Sequence, residues 1–296
     1  METAAPSRRS RWTPSFRIFN ITCLAKTLLD KEQLRPFLYP ALTRLGPRGD
    51  GGYVVPADQI SHCRLLISMG LCDNWKFDKD FLILNPAISI IGVDHTVGPS
   101  FFISGMPFIL CKILGYALVF NRAKLAQYTN RLRDYLEYFS FFREPHKHLK
   151  RRVSATSSGA IDITLNAILN TSAPSGEHDV FLKMDIEGSE YEIVPDIIRN
   201  HPRIRCLVAE FHNLNKRTEE FNQAMRMLAQ HFSIVHIHGN NIGPYDENID
   251  FPITAEITWV NKDILSDKPD HSALSYPREG LDFPNCSTRP DYKLSF

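Results

Sequence analysis

An α/β fold with an open, mainly parallel sheet and helices on both faces is what this sequence predicts. Three observations carry the prediction. Short apolar runs alternate with helical stretches along most of the chain. Several runs stop at a polar or acidic residue, at Asp94, Asp185, Glu210 and His238. The chain has 296 residues, 43% hydrophobic and 23% charged, which is enough to bury a substantial core.

The first region, 1–40, reads as a basic tail with Arg8, Arg9, Arg11 and Arg17, followed by a helix over 16–40 that ends at Pro36 and Pro40. No secretory signal is expected, because Arg17, Asn20 and Lys26 interrupt the apolar stretch. The main domain is expected over 41–296. It opens with a β-hairpin, whose runs at 42–45 and 53–55 flank a turn rich in Gly and Pro. Asp50-Gly51 is a hairpin dipeptide whose two residues favour positive φ. Strands are then expected at 64–69, 89–93, 152–155, 180–184, 205–209, 233–237 and 256–260. Helices are expected at 78–85, 122–142, 161–169, 189–199 and 219–230.

The connection at 96–150 is too long for a loop and reads as a helical insert with two apolar helices. Within it, 101–120 approaches membrane-spanning length, but Pro107 and Lys112 interrupt it. It reads as a buried or cap helix; the alternative is an interfacial helix in contact with a membrane.

A net charge of +1 and a pI of 7.7 give no strong field for nucleic acid, so no nucleic-acid partner is expected. The six cysteines form no CxxC pair. They read as reduced thiols, mostly in or near the core, of a cytoplasmic protein that is peripheral to a membrane if 101–120 binds one.

The candidate site follows from the sheet. In an open parallel sheet, ligands bind beyond the carboxyl ends of the strands. The first such loop, 68–78, has a single glycine and lacks G-x-G-x-x-G, which counts against a pyrophosphate-bearing dinucleotide. S-adenosylmethionine has no pyrophosphate and needs fewer glycines. Ser68, Gly70 and Asp73 are the loop's candidates for cofactor contact. Asp94 follows Gly70 by 24 residues, where a carboxylate takes ribose hydroxyls. In the stretch 182–194, Ser189 reads as an N-cap, and Glu190 and Glu192 as complements to the positive helix end. Those roles leave Asp185 and Glu187 unexplained without a ligand. Glu210 and His212 close the next strand, and 236–241 adds His236, His238, Asn240 and Asn241. Glu256 joins the same rim if the last strand runs antiparallel.

These residues resemble the FkbM-type family of S-adenosylmethionine-dependent methyltransferases. The resemblance rests on Asp50-Gly51-Gly52-Tyr53, the Ser68/Gly70 loop with Trp75 and Phe77, Asp94 with Thr96, and MDIEGSEYEIV from Met184. EFH at 210–212, HIHGNN at 236–241, EITW at 256–259 and LDFPN at 281–285 complete it, from about residue 40 to the end. It implies a Rossmann-like sheet of seven strands with the last antiparallel. It also implies methyl transfer to oxygen on a sugar, glycan or small metabolite. In that chemistry Asp185 either holds the cofactor's methionine end or shares with His212, Glu187 and Glu210 the candidacy for general base. No ligand spacing fixes a metal, although Asp185, Glu210 and His212 are an alternative set for a cation such as magnesium. Two competing classes are another Rossmann-type nucleotide-cofactor enzyme and an inactive methyltransferase-like binding module. The rim of acids and imidazoles argues against the second, because an idle site has no reason to bury charge.

Overall fold

The computed structural model describes residue 1 and residues 28–172, 176–265 and 270–296. The basic tail, Cys23 and the first part of the expected N-terminal helix lie outside the described residues. Where that helix would continue, the chain makes only a 3-10 turn at Lys31–Leu34, and Phe37 then bridges to His271. Pro36 and Pro40 account for the difference: each lacks an N–H and steers the preceding residue out of the helical region.

The elements follow in chain order. First come β1 (Leu42–Leu45), β2 (Tyr53–Pro56), α1 (Ala57–Ile60), β3 (Leu65–Met69), α2 (Lys76–Leu84) and β4 (Ser89–Val93). The insert holds α3 (Pro99–Leu118) and α4 (Arg122–Phe141), and is followed by β5 (Lys147–Leu149), β6 (Arg152–Val153), β7 (Asp162–Ile163) and α5 (Leu165–Ser172). Then come β8 (Val180–Met184), α6 (Glu190–Arg199), β9 (Ile204–Phe211), α7 (Thr218–Leu228), β10 (Phe232–Gly239), β11 (Tyr245–Asp246), β12 (Phe251–Pro252) and β13 (Ala255–Asn261).

Seven strands form the main sheet in the order β10-β13-β9-β8-β3-β4-β5. All are parallel except β13, which runs antiparallel between β9 and β10. This is the expected Rossmann-like α/β sheet with its last strand reversed. The inner strands β3 and β8 are buried along their whole length, as parallel strands covered on both faces must be. Leu65, Ile67 and Met69 enter one core with Ile193, Ile197, Phe221 and Trp259. Leu66 enters the other with Tyr53, Phe77, Phe81 and Phe181. That alternation along β3 is the period-two signature of a strand.

Two expectations about strands are corrected. The third position in the parallel series is β5, not 152–155; Arg152–Val153 pairs instead with Asp162–Ile163 outside the main sheet. Lys-His-Leu at a half-exposed edge carries too little apolar character to announce a strand. The hairpin also lacks a two-residue turn. Residues 46–52 join Leu45 to its partner Tyr53, and positive φ falls on Gly46, Gly49 and Gly51 rather than on Asp50. Of the described cysteines, Cys63 and Cys206 are buried, Cys72 and Cys111 exposed and Cys286 intermediate, so fewer than expected reach the core.

Candidate active site

The carboxyl edge of the sheet collects the polar residues that end its strands. β4 delivers Asp94, β3 delivers Gly70, β8 delivers Asp185 and β9 carries Glu210. Because β13 is reversed, its first residues lie at the same edge. Glu256 stands opposite Glu210 on one side and His238 on the other.

A cleft of about 300 Å³ opens there, lined among others by Gly70, Asp94, Thr96, Arg152, Asp185 and Glu187. Gly70 has φ +77°, and a Cβ at this position would lie 1.6 Å from the Asp185 carbonyl oxygen. No other residue fits, so the β3–α2 and β8–α6 loops cross in contact at the cleft floor. Asp94 is buried and heavily engaged. Its Oδ1 accepts from the Thr96 N–H and hydroxyl, both at 2.6 Å, and its Oδ2 accepts from the Cys72 N–H at 2.8 Å. Burial works to raise its pKa, but the hydrogen bonds from Thr96 and Cys72 outweigh it and lower the pKa. Two lone pairs per oxygen leave Oδ2 one acceptor position, enough for one ligand hydroxyl rather than two.

Asp185 belongs to the cleft and also to a second group of side chains behind it. The buried Tyr53 hydroxyl, reaching over from β2, donates to Asp185 Oδ2 at 2.8 Å and lies 3.5 Å from Glu210 Oε2. Asn240 donates to Glu210 Oε1 at 2.9 Å. Burial, with Asp185 and Glu256 nearby, pushes the Glu210 carboxyl up to about 8 despite the opposing His212. His212 Nδ1 is 3.1 Å from Glu190 Oε1, and Nε2 is 3.4 Å from Glu210 Oε1 and 3.7 Å from Glu187 Oε2. Burial alone would lower the imidazole's pKa, but Glu190 and Glu210 prevail and raise it to about 11. At neutral pH His212 is therefore an imidazolium, hydrogen-bonded through Nδ1 to Glu190. It must lose a proton before it can accept one.

Glu190 does more than the sequence suggests. Its carboxylate turns back to accept from the Ile186 and Gly188 N–H groups at 3.1 and 3.0 Å, besides holding His212. Ser189, the expected cap, makes no side-chain cap bond. The loop between them takes positive φ at Glu187 (+57°) and Gly188 (+104°), which turns Glu187 outward beside His212. Further along the rim, buried His238 sits between Glu256 (3.2 Å) and Asp291 (3.0 Å), which fastens the C-terminal segment to the sheet. His236 is fastened likewise to Asp282, 3.2 Å away. Asn285 donates to Glu256 at 2.7 Å and lies 3.4 Å from Asp50 at the hairpin turn.

The fold thus brings Gly70, Asp94, Asp185, Glu187, Glu210 and His212 to one edge. Two residues expected to contact a cofactor are elsewhere. Asp73 turns to α4 and pairs with Arg131 at 2.9 Å, because Cys72 at φ +50° redirects the chain after Gly70. Ser68 is buried on the α2 side of the sheet, beside Asp78, whose pKa burial raises to about 6 against the pull of Lys183 and Ser68 itself. Lys183 Nζ donates to the Gly70 carbonyl at 3.2 Å and lies 5.2 Å from the centre of the Tyr53 ring. Tyr53 and Glu190 are site residues that the sequence did not single out for chemistry. The only available signal was that both belong to the motifs DGGY and DIEGSE.

Neither a protein-family model nor a curated protein matches this sequence. Several solved structures do. They include a fibrillarin/Nop5p complex, at 11% identity over 68% of this chain and 73% of that chain, with a TM-score of 0.35. They also include precorrin-6y C5,15-methyltransferase from Geobacter metallireducens GS-15, at 14% over 70% and 87%, with a TM-score of 0.32. A third is the 23S rRNA methyltransferase ErmE, at 11% over 73% and 69%, with a TM-score of 0.32. These scores carry no weight for the site, and the Rossmann-like assignment rests on the strand order. The expectation that near-neutral charge excludes a nucleic-acid partner is withdrawn on the chain's own charge distribution. Net charge is a whole-chain sum, and it hides Arg151 and Arg152 side by side at the cleft.

Proposed function

We propose that this chain is an S-adenosylmethionine-dependent methyltransferase of FkbM type that methylates a hydroxyl oxygen on a sugar, glycan or small metabolite. The observation that carries the reading is the double membership of Asp185. It lines the cleft at the carboxyl edge and is also tied through Tyr53 to the Glu210–His212 group. Cofactor cleft and proton-handling group are then contiguous.

The residues fit the cofactor. The cleft's volume is at the lower end of the range for small-molecule sites. Asp94 keeps one acceptor position for a ribose hydroxyl, and Asp185 and Glu187 complement the cationic sulfonium and ammonium groups. The cofactor supplies an activated methyl carbon. The chain's own residues align an acceptor oxygen with it and remove a proton. Asp185 takes the proton in this reading, since it faces the cleft and Tyr53 holds its carboxylate. His212, held through Nδ1 by Glu190, is a positioning residue beside the acids.

The test is incubation with S-adenosylmethionine and a panel of hydroxyl-bearing sugars, glycans and metabolites, read by mass spectrometry for the gain of one methyl group. The wild type should methylate an acceptor. Asp185→Asn should lower the rate at saturating cofactor by about 10²–10⁴-fold, well beyond its loss of cofactor affinity. Cofactor binding with no transfer to any hydroxyl would overturn the O-methyl reading, and an undiminished rate in the variant would remove Asp185 as base.

A second reading adds a divalent cation to the same site. One ligand atom each from Asp185, Glu187 and His212 can lie within 4.8 Å of the others. Glu190 behind Nδ1 is the kind of carboxylate that orients a metal-bound imidazole. Glu187 thus replaces Glu210 in the set expected from sequence. Such a cation would take the place of the His212 proton and lower the acceptor's pKa. Activity abolished by a chelator and restored by magnesium or manganese supports this reading, and chelator-insensitive activity ends it.

A further inference from the structure

The insert contains two antiparallel helices of equal length, α3 and α4, packed on each other. Their inner stripes are ordinary. Phe102, Met106, Ile109 and Ile113 of α3 are turned inward, as are Tyr128, Leu132, Tyr135 and Tyr138 of α4. Both sets recur at the three- and four-residue spacing of a helix face. The outer faces differ. α4 exposes Arg122, Lys124, Gln127, Asn130, Arg131 and Arg133, as a solvated helix should. α3 exposes Ile103, Phe108, Leu110, Leu114 and Leu118, and its end continues into Val119 and Phe120, the latter 88% exposed.

α3 is therefore apolar all round without being a core helix. Its most apolar stretch has a mean hydropathy of 1.7, yet only 11% of it is buried. A second observation concerns charge. Residues 99–133 contain Lys112, Arg122, Lys124, Arg131 and Arg133 and no Asp or Glu, in a chain whose total is only +1. Arg131 is turned to Asp73, and Lys112 lies over the Phe108 ring, 5.2 Å from its centre. Arg122 and Lys124 flank the apolar tip. An apolar face bordered by cations and free of acids matches the hydrocarbon boundary and anionic headgroups of a lipid bilayer.

We propose that the outer face of α3 and the tip at 118–120 dock on an anionic lipid bilayer, with the helix lying in the interface. It does not span the bilayer. Lys112 near its middle and the polar outer face of α4 alongside oppose full immersion. Docking would also place the cleft close to the lipid surface, since Thr96 of the cleft is three residues before Pro99. The proposal does not depend on the methyltransferase reading.

Sedimentation of the full chain with vesicles tests it, using phosphatidylcholine alone and phosphatidylcholine mixed with phosphatidylserine. The wild type should bind both, more tightly with phosphatidylserine and less so as salt rises. The variant Phe108→Gln/Leu114→Gln/Leu118→Gln should lose more than about a hundredfold in partition coefficient, with circular dichroism unchanged. Ile83→Gln, at an equally exposed apolar residue on α2, should bind like the wild type. Arg122→Gln/Lys124→Gln should keep binding to phosphatidylcholine and lose part of the preference for phosphatidylserine. Wild-type protein that stays in the supernatant with both vesicles would overturn the proposal, as would a triple variant that binds undiminished. A wild-type dimer in light scattering that ignores vesicles and is split by the triple variant would overturn it in favour of a second copy of this chain.

Discussion

The carboxyl edge of the sheet and the outer face of α3 break the same partition rule in opposite directions. At the edge, Glu190, Glu210, His238 and Glu256 are charged or ionisable and buried. On α3, Phe108, Leu114 and Leu118 are apolar and exposed. Burying a charge costs several kcal/mol unless it is paired, and the edge meets that cost by pairing acids with imidazoles. Exposing a row of large apolar side chains forgoes about 1.5–3 kcal/mol for each. Neither arrangement is what folding alone would select. The two are joined along the chain, since the β4 carboxyl end leads from Asp94 into α3. The comparison teaches that the molecule departs from ordinary partition where it is built to meet something else.

The comparison can be broken first at His238. Its imidazole is 1% exposed and touches Glu256 and Asp291. His238→Ala should cost about 3–5 kcal/mol in denaturant unfolding, because two carboxylates lose their counterion. A loss below about 1 kcal/mol would mean that the buried edge is not held by its charge pairs.

The pH dependence is the next largest effect. Burial works to lower the His238 pKa, but Asp291 and Glu256 raise it to about 10. A raised folded pKa means that the stabilisation is fully present below the unfolded value of about 6.5 and is lost as pH rises toward 10. Wild-type stability should therefore fall from pH 7 to pH 10 relative to His238→Gln. Parallel stability curves for the two proteins would contradict it.

The smallest effect belongs to the other region. Leu114→Gln should change stability by no more than about 0.5 kcal/mol, since the side chain is 66% exposed and packs little. A loss above about 2 kcal/mol would show that α3 is covered in solution, and would sharpen the choice between lipid and a second copy.

Much of the fold was legible in sequence because parallel inner strands must be apolar on both faces. The runs at β3, β8 and β9 announce themselves, and the acids that stop them mark the edge. β5 was not legible, since three half-exposed residues at a sheet edge leave no hydrophobic signature. Within the site, Asp94, Asp185, Glu210 and His212 were readable from position alone. Asp73 misled because closeness to Gly70 along the chain says nothing of direction once Cys72 takes positive φ. Glu190 was hidden behind a sufficient local explanation, the helix dipole, although its carboxylate faces the loop and His212. The exposure of α3 was hidden too, because an apolar helix has the same composition in a core as at a lipid surface.

The central claim is that the Gly70–Asp94 cleft holds an adenosyl cofactor, and calorimetric titration tests it most directly. S-adenosylmethionine and S-adenosylhomocysteine should each bind the wild type at one saturable site. Asp94→Ala should weaken both by about 10–100-fold, the worth of a hydrogen bond to a charged group, while thermal stability confirms the fold. Absence of binding by the wild type, or equal affinity in the variant, would contradict the account.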